Sequence, residues 1–144
     1  MKGVNRVVIA VRDIERAAKV FSGLLAAPFH DYGEIKAMGV RLMISWEGGM
    51  ELISPITEDS DLARFIGERG EGVYMVVMNV DDVDAARARA EALGVGVTNT
   101  LQYKDPTIVD TQQYHFTKFK EIFLAPEDTH GVHILLGQIE RVPR

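Results

Sequence analysis

The sequence predicts an α+β fold: two strand-helix-strand-strand-strand (βαβββ) modules that together make a curved, eight-stranded, barrel-like cleft. Three observations predict it. Short apolar segments rich in β-branched residues alternate with segments of helical period. The chain repeats itself, residues 4–11 lying over 73–80, and Asp13, Ile14 and Ala17 over Asp82, Val83 and Ala86. The closing strands repeat too, residues 50–53 over 134–137. A module of this size carries one apolar sheet face that it cannot bury alone, so two copies must pair.

Each element has its local reason. Residues 4–11 (VNRVVIAV) read as a strand. Asp13 is a candidate N-cap for a helix over 14–25, whose Ile14, Ala17, Ala18, Phe21, Leu24 and Leu25 fall at helical spacing. Pro28 ends that region. Residues 32–38 and 40–46 read as strands joined through Gly39, and 50–53 as a fourth strand stopped by Pro55. A short helix over 61–69, within a linking segment at about 58–70, leads to the strand 73–80. Asp82 or Asp81 caps the helix 83–93, which Gly94 terminates. Residue 95 starts another strand. Residues 99–117 are expected as an inserted loop, 119–124 and 132–136 as strands, and the tail after Gly137 as loose. The whole is expected as one domain over residues 1–144, with repeats at 4–54 and 73–137.

Composition narrows the function. The 144 residues are 47% hydrophobic and 26% charged, the balance of an ordinary folded globule. Without cysteine, disulfides and thiolate metal sites are excluded. The opening MKGVNRVVIAVRD is too short and too charged for a secretory leader, and no apolar run is long enough to span a membrane. A net charge of -5 with no basic tract argues against nucleic acid. The expectation is a cytoplasmic protein with a small-molecule ligand and neither a nucleic-acid nor a membrane partner.

The phrases VVIAVRDIERA, ELISPITEDSDLARFIGERGEGV, VDDVDAA and LAPEDTHGVHILL resemble the vicinal oxygen chelate superfamily, most of all its methylmalonyl-CoA epimerase branch. The resemblance implies that fold and a homodimer. It also places the four side chains that hold the metal in metal-dependent members at Arg6, Glu51, Met75 and Leu135. Of these only Glu51 is an ordinary ligand for a hard divalent ion, since a guanidinium offers no lone pair and leucine offers nothing. No metal and no cofactor are therefore expected.

Glu51, His133 and Arg6 are the candidate catalytic residues. Arg6 is expected to face Glu51, either to steady a developing oxyanion or as an ion pair filling a dead site. Glu51 is a candidate proton acceptor among Met75, Leu135 and Met43. His133 shares strand parity with Leu135 and is a candidate for proton transfer, or else a locally bonded histidine. Asn79, Met75, Leu135 and Met43 are expected to line the ligand site, or Asn79 simply to end its strand, with Tyr103 and His115 from the 99–117 segment as a lid, a surface hairpin extension or a dimer contact. Tyr74 has the opposite parity and is expected to pack on the helices or on a partner chain. His30 and His130 are read as solvated turn residues. Two functions stay open: metal-independent epimerase, isomerase or lyase chemistry on a carbonyl, carboxyl or thioester compound, or sequestration of a small molecule without chemistry.

Overall fold

The computed structural model describes Met1–Arg144 and holds eight strands and three α-helices. It divides into two compact units, Arg6–Tyr74, and Met1–Asn5 with Met75–Arg144.

In the first unit the strands β1 (Gly3–Ala10), β2 (His30–Ile35), β3 (Val40–Ser45) and β4 (Met50–Pro55) lie in the order β2-β3-β4-β1. The two strands β1 and β4 run parallel, with Val8 opposite Glu51 and Ile9 opposite Leu52. Helix α1 (Ile14–Leu25) starts where Asp13 accepts from the Arg16 N–H, one of the orphan donors of its first turn. It ends on Ala26, which carries a left-handed φ of 50°. Its apolar stripe, Ile14 and Ala18, packs on Val11 and Leu52, with Ile9, Phe21, Met43 and Met50 around them. The strand alternation then fixes the other face. Glu51 stands beside Val8 on β1 and Ile44 on β3, turned from α1.

Residues 36–38 form a 3-10 turn rather than the end of a strand. Gly39 closes it at φ 68°, where an added Cβ would stand 2.9 Å from Thr57 Oγ1, so the sharp turn interrupts the ladder. Helix α2 (Asp61–Arg69) is capped by the Ser60 hydroxyl, which accepts from the Ala63 N–H. As expected, Tyr74 packs on a helix, its ring edge-on to Phe65 at 4.7 Å. Burial, and then the charge of Asp61, push its hydroxyl above the ordinary tyrosine range.

The second unit repeats the pattern with β5 (Gly72–Asn79), β8 (Ile134–Pro143), β7 (Tyr114–Leu124) and β6 (Val97–Gln102) in the order β5-β8-β7-β6. Helix α3 (Val83–Ala92) is capped by Asp82, which accepts from the Asp84 and Ala85 N–H groups. Its Val83 and Ala86 pack on Val80 and Ile122, with Val97, Leu124 and Leu136 alongside. The β5–β8 ladder copies the β1–β4 ladder in register: Val77 opposite Leu135 repeats Val8 opposite Glu51, and Asn79 opposite Gly137 repeats Ala10 opposite Ile53. The flanking hydrogen bonds repeat as well. Val7 N–H donates to the Gly49 carbonyl at 2.9 Å, and Val76 N–H to that of His133 at 3.0 Å.

Two expectations for this unit are corrected. Residues 99–117 are not one long loop, because β6 runs to Gln102 and β7 begins at Tyr114, leaving a connection with a 3-10 turn at Pro106–Val109. The tail is not loose either. Strand β8 continues to Pro143, which pairs with Tyr114. Both segments are polar because antiparallel strands with a solvated face alternate in character, and a search for continuous apolar runs passes over them.

Candidate functional site

The site begins at Arg6 and Glu51. Strand β1 points Arg6, Val8 and Ala10 away from α1, and β4 brings Glu51 and Ile53 beside them. The Arg6 Nε donates to Glu51 Oε1 at 2.8 Å. Arg6 is 4% exposed and Glu51 7%, so the pair lies in low dielectric, where its attraction is strong and breaking it is costly. The Arg6 guanidinium also lies over the Trp46 ring, 5.3 Å from its centroid, and the Trp46 indole N–H donates to the Tyr32 hydroxyl at 2.9 Å. The guanidinium is thus held from two sides, a preorganised cation on an otherwise apolar face.

The same rows hold a histidine read above as a solvated turn residue. His30 opens β2 opposite Ile44, which itself stands opposite Glu51, so all three share one face. Its Nε2 is buried and has no hydrogen-bond partner. Met43 moves the other way. It pairs with Leu52 and packs into the α1 core, so the apolar neighbour of Glu51 is Ile44 and not Met43. A one-residue difference in register parity decides this.

In the second unit the face turned from α3 carries Met75, Val77 and Asn79 from β5, and Leu135 and Ile139 from β8. Asn79 Oδ1 accepts weakly from the Ile139 N–H at 3.4 Å. Tyr103 stacks edge-on with Phe119, which stands opposite Ile139, with ring centroids 4.9 Å apart. His133 sits in the turn just before β8, the counterpart of Gly49, and not within the strand. His115 lies on the opposite face from this group. A bulge between Phe116 and Lys118 sets the parity, and its Nδ1 bonds the Asp110 carboxylate at 2.8 Å. Asp110 also accepts from the Phe116 N–H at 2.7 Å and an Arg144 guanidinium N–H at 2.9 Å. The Phe116 amide first, then His115, hold its carboxyl below the ordinary range. His115 thus belongs to a clasp on the chain's last residues rather than to a lid.

Sequence reading missed Glu121. It is 2% exposed, opposite Gly137 and on the face shared with Leu135, Phe119 and Phe123. Gly137 leaves room for it, since an added Cβ there would stand 3.5 Å from Glu121 Cγ and 3.3 Å from Ile139 Cδ1. The signal was present: Phe119, Glu121 and Phe123 alternate against Lys120, Ile122 and Leu124.

The residues present do not fit a hard divalent ion. The Glu51 carboxylate is occupied by a guanidinium, and no group of three or more His, Asp or Glu side chains gathers to hold a metal. No helix is long and apolar enough to cross a membrane.

Comparison with known proteins fits this geometry. The chain is 28% identical over 138 residues to the human mitochondrial methylmalonyl-CoA epimerase, covering 94% of this chain and 73% of that one. It is 27% identical over 144 residues to the ethylmalonyl-CoA/methylmalonyl-CoA epimerase of Cereibacter sphaeroides, covering 94% and 97%. The crystal structure of methylmalonyl-CoA epimerase from Mycobacterium tuberculosis superposes with a TM-score of 0.74 at 25% identity, over 94% of this chain and 87% of that one. A family profile matches residues 5–111, most of the chain. With the repeated βαβββ units and their common register, that match establishes that the chain belongs to the Glyoxalase/Bleomycin resistance protein/Dioxygenase superfamily.

Proposed function

We propose that the protein is a metal-independent enzyme of the epimerase or isomerase type that moves the α-proton of a small acyl thioester. The observation that carries the reading is the buried Arg6–Glu51 pair at 2.8 Å on a face shared with Val8, Ala10, Ile44, Ile53 and His30. The relatives, named as epimerases of acyl-CoA thioesters, supply the substrate class. A Glu51 oxygen would take the α-proton. The C–H electron pair would move into the bond to the carbonyl carbon, leaving an enolate oxygen that the Arg6 guanidinium stabilises. Reprotonation from the other side of the α-carbon needs a second acid. Asn79, Met75, Leu135 and Tyr103 would then contact the acyl chain or its carrier. The reading includes a cytoplasmic homodimer, for which the exposed Val20, Leu24 and Leu25 of α1 offer apolar surface.

The test is exchange of the α-proton of methylmalonyl-CoA in D2O, followed by NMR. Wild type washed with chelator should exchange it. Glu51→Gln should slow exchange by about 10²-fold or more, the usual worth of a positioned base. Exchange that needs added Mn or Co, or that survives Glu51→Gln, would overturn the proposal. Binding without any exchange would favour the second reading, sequestration, which the apolar Met75 and Leu135 support.

A further inference from the structure

The second unit holds a mostly polar cavity of about 380 Å³ lined by Lys2, Asn5, Asn79, Ile139, Glu140 and Arg141. Its residues come from the start of the chain, the end of β5 and the end of β8, tied by the Lys2 N–H to Asn79 carbonyl hydrogen bond at 2.8 Å. We propose that this pocket is a binding site for a phosphoryl group. The inference deepens the reading above and rests on it for the source, the phosphorylated nucleotide end of a coenzyme A thioester.

Several features favour such an anion. Lys2 and Arg141 bring two cations to one small cavity on a chain whose net charge is -5. The Arg141 guanidinium carbon lies over the Tyr114 ring, 4.2 Å from its centroid, a cation–π contact that restrains the side chain. The acidic lining residue is turned aside: Glu140 Oε1 accepts from Gln138 Nε2 at 2.9 Å, and Gln138 shares its strand face and also accepts from the Val83 N–H that opens α3. Asn79, whose Oδ1 accepts from the Ile139 N–H, turns its amide NH2 to the other side. Lys2 has one weak tie, to Asp81 at 3.8 Å, which a dianion would displace easily. Two cations beside a polar wall suit a phosphoryl group, which carries more charge and more acceptor oxygens than a carboxylate.

The experiment is calorimetric titration of the full chain, at fixed ionic strength, with adenosine 3',5'-bisphosphate, inorganic phosphate and pantetheine. Wild type should bind the bisphosphate. Lys2→Met and Arg141→Gln should each weaken that binding about tenfold, while pantetheine affinity tells whether the fold is intact. If inorganic phosphate binds as tightly and is lost in the same variants, the phosphoryl site stands with free phosphate as its ligand. Bisphosphate affinity equal in wild type and both variants, or absent from wild type, overturns the site. The readout is independent of turnover. A protein that binds the bisphosphate but exchanges no thioester proton keeps this pocket and loses the catalytic proposal, and the reverse pattern does the opposite.

Discussion

The first and second units share a ladder register residue for residue, yet their equivalent positions carry opposite chemistry. Where the first places Arg6 and Glu51, bonded and buried, the second places Met75 and Leu135. Where the first has Leu42 opposite Ile53, the second buries its own carboxylate, Glu121, opposite Gly137. The backbone pattern needs only alternation and caps, which both halves supply. The inward side chains are free to diverge because the sheet does not read them, and so fold and chemistry are set separately.

The sharpest way to break this contrast is to make the first unit resemble the second. Arg6→Met leaves Glu51 buried without its guanidinium and should cost about 3 to 5 kcal/mol in urea unfolding, with α-proton exchange lost. A cost below about 1 kcal/mol would show that the pair is solvated and the two faces less different than drawn. In the second unit the matching probe is Gly137→Ala. Its methyl would crowd Ile139, Val77 and the Glu121 side chain at 3.3 to 3.5 Å, and should cost about 1 to 3 kcal/mol. A neutral result would mean that Glu121 is loosely held.

A smaller effect separates the units at their chain ends. Asp110, bonded to the Phe116 amide, His115 and Arg144, has a carboxyl held below its ordinary value in the folded state. It therefore contributes stability above the unfolded carboxyl pKa, near 4, and that contribution is lost as pH falls through the lower folded value. Asp110→Asn should flatten the acid limb of the stability curve and speed amide exchange near Phe116 and Arg144, with the first unit unchanged. The smallest effect is at the helix ends. α3 is followed by Gly94 at φ 75°, whereas α1 ends on Ala26 at φ 50°. Ala26→Gly should raise stability by about 0.5 to 1 kcal/mol in thermal unfolding. A loss would show that the Ala26 methyl packs usefully.

Much of the fold was legible because local rules act over a few residues. Asp13, Ser60 and Asp82 are side chains that satisfy the orphan amides of a helix start, and two of the three fall at matched places in the repeat. The strands 99–102 and 137–143 were not legible, since each is held by pairing with β7, a partner distant in sequence. The candidate site divides the same way. Glu51 and Arg6 were found because the resemblance to the vicinal oxygen chelate superfamily places them, with Met75 and Leu135, at matched positions of the repeat. His30 was missed because no local pattern says that β2 faces the same way as the residues already chosen, and Glu121 because its place in the alternation gains meaning only once β7 pairs with Gly137.

Taken alone, the amino-acid order determined the two modules and the caps that start their helices. These follow from residue type and from periods of 2 and 3.6. The tertiary structure decided which face each strand shows: that Met43 packs on α1, that His115 clasps Asp110, and that the cations of Lys2 and Arg141 meet in one pocket. Cross-strand register and bulges set those outcomes, and a shift of a single residue would reverse every one of them.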